Sequence, residues 1–136
     1  MSRVEEDLCL EPAVFQGMPN LRLLNFYKSE YPCTLMYLPY FKKNGKVKLD
    51  EGLGYLPNSL RYLHWCDYPS KTLPSKFRPE FLVEIIMPKS QLTQLWDGVQ
   101  PLGNLRLIDF SDSTQLVKIP DLSRATRLEH INLSYC

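Results

Sequence analysis

The stretch NLRLIDFSDSTQLVKIPDL, residues 104–122, decides how the chain is read. Its apolar residues fall at Leu105, Ile108, Phe110, Leu116 and Ile119. A helix would repeat them every three or four positions throughout, and an isolated strand every two. Here the pattern alternates at Ile108 and Phe110 and then changes step. A short, half-buried strand that passes at once into a buried return has that pattern.

The pattern comes back. Residues 21–26 read LRLLNF, 60–65 LRYLHW, 82–87 LVEIIM, 105–110 LRLIDF and 128–133 LEHINL. The block starts are separated by 39, 22, 23 and 23 residues. A fixed period in the twenties points to a leucine-rich-repeat solenoid. The fourth and sixth residues of each block share one face of a short strand and point inward. The first residue leads in from the preceding turn. Ile119 and the leucines beyond the strand bring the chain round, so that the next strand lies parallel to the last. No single coil buries its apolar face alone, and roughly three or more must stack. The expected fold is therefore an α/β solenoid, with short parallel strands on its concave face and irregular or short helical returns. Residues 1–17 form a lead-in and 18–136 the repeat domain, with an insertion at about 29–55 that accounts for the long first step.

Size and composition agree with one globular domain. The 136 residues are 44% apolar and 23% charged. The formal net charge of +1 predicts no long-range field favouring nucleic acid or an anionic membrane. Cys9, Cys33, Cys66 and Cys136 contain no CxxC pair, which argues against a zinc site. An even count allows disulfides. Reduced thiols are favoured, because MSRVEEDLCLEP is acidic and lacks the apolar region of a secretory signal.

Punctuation along the chain adds detail. Pro57, Pro74 and Pro120 follow apolar residues where the chain leaves a buried position. Pro88 directly follows Met87, so the strand of that repeat is expected to end there with a locally loosened ladder. Residues 11–18 read as a short helical segment stopped at Gly17, with Phe15 and Met18 covering its end. Within the insertion, Asn44-Gly45 marks a hairpin turn flanked by Lys42, Lys43, Lys46 and Lys48. These lysines keep a solvated hairpin soluble, or they contact an acidic partner surface or another domain. Tyr37, Tyr40 and Phe41 would seat it.

Residues between the inward positions face outward and form columns. The third block position gives Leu23, Tyr62, Glu84, Leu107 and His130. The fifth gives Asn25, His64, Ile86, Asp109 and Asn132, and the seventh Tyr27, Cys66, Pro88, Ser111 and Ser134. Concave solenoid faces commonly bind partners. The candidate contact face is Tyr27, Tyr62, His64, Glu84, Ile86, Leu107, Asp109, His130 and Asn132. Catalysis is not expected. His64 and His130 lie in separated repeats, and Asp109, Asp112 and Asp121 do not converge as metal ligands should. There is no GxxxxGK[ST] or GxGxxG. Trp65 is inward and Trp96 packs on the return side.

The segments YLPNSLRYLHW, YPSKTLPSKF, LVEIIMPKSQLTQLWDGVQPLGNL and IPDLSRATRLEHINLSYC, with FQGMPNLRLLNFY upstream, are specific. Together they resemble the first repeats of plant intracellular disease-resistance proteins of the TIR, nucleotide-binding, leucine-rich-repeat type. The resemblance implies a non-catalytic protein-interaction and autoregulatory segment acting in defence and signal transduction. It implies partners among the receptor's own nucleotide-binding and TIR domains, a pathogen effector or a host protein, and neither nucleic acid nor membrane. It implies a cytoplasmic setting, with a nuclear fraction allowed. ADP or ATP and NAD would belong to other domains of such receptors, so no cofactor is expected in these residues. The alternative is a free-standing truncated adaptor or decoy. Two departures stand out. Where such repeats often carry Asn or Cys, this chain has Ser29, Tyr68, Ser90, Ser113 and Cys136, and Tyr68 is bulky enough that its turn must adapt. The chain also stops one strand into a repeat, so an incomplete C-terminal edge is expected.

Overall fold

The computed structural model describes residues 8–26, 47–49 and 52–136. Its strands are β1 (Leu8–Cys9), β2 (Leu23–Phe26), β3 (Val47–Lys48), β4 (Tyr62–Trp65), β5 (Glu84–Ile86), β6 (Leu107–Asp109) and β7 (His130–Asn132). Five of them make one parallel sheet in the order β2-β4-β5-β6-β7. Leu23 pairs with Tyr62, Tyr62 with Glu84, Glu84 with Leu107, and Leu107 with His130. The third-position column of the sequence is thus one row of the sheet, and the fold is a leucine-rich-repeat solenoid.

Each block is entered the same way. The amides of Leu21, Leu60, Leu82, Leu105 and Leu128 donate to the carbonyls of Met18, Pro57, Pro79, Leu102 and Ala125, all at 3.1–3.2 Å. That i to i+3 turn aims the first leucine inward. Leu60, Leu82 and Leu105 are buried beside Leu63, Ile85 and Ile108 of the fourth position and Trp65, Met87 and Phe110 of the sixth. Side chains of this size each contribute about 1.5–3 kcal/mol when fully buried. The returns are irregular, with no helix among the described residues.

A second regularity follows β4, β5, β6 and β7. Asp67, Lys89, Asp112 and Tyr135 all have φ between 56° and 60°. Each precedes the position where Tyr68, Ser90, Ser113 and Cys136 stand. The left-handed residue turns the chain inward, and in the first three of these turns it delivers the next side chain, Tyr68, Ser90 or Ser113, into the core. Ser90 and Ser113 are buried there and share a bond of 2.9 Å between their hydroxyls. Ser113 Oγ also accepts from the Ser90 amide at 3.1 Å and donates to the Met87 carbonyl at 3.3 Å. One repeat on, Cys136 Sγ donates to the Phe110 carbonyl at 3.1 Å, which is the same bond made by sulfur. Tyr68 solves the same position by size. Its fully buried ring meets Trp65 edge-on with centroids 4.9 Å apart, and its hydroxyl donates to the Thr72 carbonyl at 3.0 Å.

Several expectations change. The lead-in is not a helix. Val14, Gln16 and Met18 amides donate to the carbonyls three residues earlier, giving successive turns, because so short a segment cannot offset the cost of helix nucleation. Phe15 is buried with its ring tilted against that of Phe26, centroids 6.3 Å apart, whereas Met18 is exposed. Pro88 does not loosen the ladder. Met87 and Lys89 amides donate to the Asp109 and Ser111 carbonyls, and the Pro88 carbonyl accepts from Asp67. Alternate residues of a parallel strand bond to opposite neighbours, so the missing Pro88 donor falls between intact bonds. Cys66 is buried and disulfide-bonded rather than a reduced thiol on the outward face. Sequence spacing carries no information on which thiols meet in space.

The lead-in closes one end of the core. The Gly54 amide donates to the Pro12 carbonyl at 2.9 Å, and a Cβ on Gly54 would stand 3.2 Å from that oxygen. At the other end Ile119 and Ile131 are exposed beside an apolar cleft between Leu116, Pro120 and Leu133.

Candidate protein-contact face

Parallel stacking places the third-position side chains about 4.8 Å apart from strand to strand on one face of the sheet. Leu23 is 54% exposed and Tyr62 38%. Glu84 and Leu107 are half-buried and His130 is exposed. In the fifth column Asn25 and Asn132 are exposed, while His64, Ile86 and Asp109 are half-buried. The face is therefore a narrow apolar strip crossed by polar groups.

Those polar groups are organised. Nε2 of His64 lies 3.1 Å from Oε2 of Glu84, joining neighbouring strands. The Tyr62 and His64 rings stand edge-on with centroids 6.4 Å apart. Asp109 Oδ1 accepts from the Ser111 amide at 2.9 Å, and Asn132 Oδ1 accepts from the Ser134 amide at 3.1 Å. Short polar side chains at this position fold back on the backbone two residues on and fix the strand exit. Asp109 and Asn132 thus hold the turn as well as lining the face.

Of the other expected positions, Tyr27, Lys42, Lys43 and Lys46 lie outside the described residues, as does the Asn44-Gly45 turn. Lys48 sits in β3, which pairs in parallel with β1, Leu8 with Val47 and Cys9 with Lys48. In the seventh column Cys66 and Pro88 are buried, so that column does not extend the face. Trp96 is half-buried against the core, with its indole Nε1 enclosed and unpartnered.

Two features escaped the sequence reading. Leu23 is the most exposed apolar residue of the strip, yet it stood in its column without being picked as a contact. The second block position had no role assigned, although Leu-Arg opens three of the blocks, at 21, 60 and 105. That repeated dipeptide was the available signal. On the return side a cavity of about 350 Å³ is lined by residues including Thr72, Ser75, Gln94, Trp96, Asp97 and Gln100. Among the described residues no three of His, Cys, Asp and Glu stand where they could hold a metal ion. No helix among them is long and apolar enough to cross a membrane.

Comparison with known proteins gives this geometry a context. The family model described as Leucine Rich Repeat matches residues 81–100. Disease resistance protein RML1B of Arabidopsis thaliana is 42% identical over 136 residues, the whole of this chain and 12% of that protein. Disease resistance protein RPS6 of the same plant is 43% identical over 131 residues, covering 96% of this chain and 11% of its own length. Disease resistance-like protein DSC2 is 39% identical over 136 residues, or 10% of its length. The chain spans about one eighth or less of the curated relatives it matches. No solved structure matches it. These residues form a leucine-rich-repeat solenoid homologous to one short section of plant disease-resistance proteins.

Proposed function

We propose that this chain is the non-catalytic interaction and autoregulatory part of a cytoplasmic plant immune receptor. Its concave face docks on a neighbouring domain of that receptor and holds the signalling switch closed until an effector or host protein competes for the contact. The observation that carries this reading is the apolar strip of exposed Leu23 and Tyr62 and half-buried Leu107 on a five-stranded parallel sheet. Exposed aromatic and aliphatic groups rimmed by polar ones suit a protein contact. The homology supplies the setting.

The energetics are adequate. Burying roughly 100 Å² of that strip at about 25 cal/mol per Å² contributes about 2.5 kcal/mol. A two-state switch moved from even populations to 99:1 needs about 2.7 kcal/mol, half of the full span from 1:99. A modest contact therefore holds the switch, and a competing partner releases it.

The test is a titration of the folded chain with the separately expressed nucleotide-binding domain of the receptor. Saturable binding is expected. No binding with both partners folded would refute the regulatory reading.

A further inference from the structure

The second block position forms a row of its own. The Arg61 amide donates to the Arg22 carbonyl at 2.8 Å, Val83 to Arg61 at 2.7 Å, Arg106 to Val83 at 2.8 Å and Glu129 to Arg106 at 2.9 Å. Arg22, Arg61, Val83, Arg106 and Glu129 are thus successive rungs along the edge of the sheet. All three arginines are exposed. No carboxylate among the described residues lies within ion-pairing distance of them. Each is followed in the chain by an apolar residue of the strip, Leu23, Tyr62 and Leu107.

We propose that Arg22, Arg61 and Arg106 form a carboxylate-pairing row that receives an acidic peptide segment of a protein partner, whose apolar side chains lie on Leu23, Tyr62 and Leu107. This rests on the contact-face reading above and names the chemistry of its occupant. Guanidinium groups present a planar fork that matches a carboxylate with two parallel hydrogen bonds. Neighbouring strands stand about 4.8 Å apart, so Arg22 and Arg61 are separated by about 5 Å and Arg61 and Arg106 by about 10 Å. An extended peptide advances about 3.3 Å per residue and alternates its sides, so glutamates at every second position recur about 6.6 Å apart on the side facing the row, within reach of the long arginine side chains. The apolar strip beside the row accepts the residues between them.

A protein segment fits better than a polyanion. Val83 interrupts the row, Glu129 ends it, and the chain's net charge is only +1. A nucleic acid or anionic membrane would draw on a continuous basic surface, which this interrupted row does not offer.

The experiment is fluorescence anisotropy of the full chain with a labelled peptide alternating glutamate and phenylalanine. Its counterpart has glutamine in place of every glutamate. The glutamate peptide is expected to bind about tenfold more tightly, as two or three partly exposed ion pairs provide. The difference should shrink at high salt and vanish in the Arg61→Glu/Arg106→Glu variant. The Arg61→Gln/Arg106→Gln variant should show an intermediate loss, and tryptophan fluorescence reports that each variant is folded. Equal binding of both peptides, abolished by Leu23→Ser, would overturn the arginine row and leave the contact face standing. No binding of either peptide to folded chain would also overturn the row, while the domain titration judges the face separately. Preferential binding of a single-stranded oligonucleotide or of anionic vesicles over the glutamate peptide would overturn the choice of occupant.

Discussion

Replacing Ser113 by alanine should cost far more than replacing Ser90, although both hydroxyls are buried and bonded to each other. Ser113 Oγ serves three partners: the Ser90 hydroxyl at 2.9 Å, the Ser90 amide at 3.1 Å and the Met87 carbonyl at 3.3 Å. Among the described residues Ser90 Oγ has the Ser113 hydroxyl alone. Ser113→Ala therefore orphans a buried amide and a buried hydroxyl and removes a bond to a carbonyl. Each unsatisfied buried group costs about 1–3 kcal/mol, giving about 2–6 kcal/mol for the two. Ser90→Ala leaves Ser113 with two partners and should cost about 1 kcal/mol. Urea unfolding followed by Trp65 and Trp96 fluorescence reads the difference. With a slope of about 2 kcal/mol per molar, the Ser113→Ala midpoint falls by about 1–3 M and that of Ser90→Ala by about 0.5 M. Ser113→Cys should fall between them, since Cys136 makes the corresponding bond with sulfur. If Ser90→Ala cost as much as Ser113→Ala, the asymmetry would be wrong and with it the view of Ser113 as the hub of the ladder.

Other outcomes follow from named residues. Asp112 has φ 59°, so Asp112→Gly should leave the urea midpoint unchanged or slightly raised, whereas Asp112→Val should cost about 1–2 kcal/mol. Burial pushes the Tyr68 phenol well above the ordinary tyrosine range, with the Ser70 side chain acting in the opposite sense. The folded chain then keeps a proton that the unfolded chain loses near pH 10, so Tyr68 contributes its full stability below about pH 10 and progressively less as pH rises, by about 1.4 kcal/mol per pH unit. Urea midpoints measured at alkaline pH should fall less steeply in Tyr68→Phe. Gly54→Ala should cost about 1–2 kcal/mol, because its Cβ would press on the Pro12 carbonyl, and a thermal melt shows the loss.

The repeat made the sheet legible before any coordinates. Blocks that share a spacing must present the same side chain to the same neighbour, so Leu23, Tyr62, Glu84, Leu107 and His130 could be placed on one row by alignment alone. The bulk of Tyr68 suggested an adapted turn, yet Asp67 keeps the same left-handed φ as its counterparts, and the ring is taken up by the core instead. What stayed hidden depends on contacts in space. The left-handed conformations at Asp67, Lys89, Asp112 and Tyr135 carry no glycine to mark them. No motif around Cys66 marks it as disulfide-bonded. The proline at 88 looked disruptive because the direction of its missing donor is a matter of ladder phase. The arginine row was visible as a repeated Leu-Arg, but its meaning needed the knowledge that those arginines are exposed and that no carboxylate among the described residues pairs with them.

The most direct test of the central claim is calorimetric titration of the receptor's nucleotide-binding domain into this chain and into its Leu23→Ser/Tyr62→Ser variant. Both substitutions lie on the exposed face and should change folding stability by less than about 1 kcal/mol. The account predicts saturable binding to the native chain and a loss of about tenfold or more in the variant. Equal affinity of the two folded proteins would contradict it and move the contact off the concave strands.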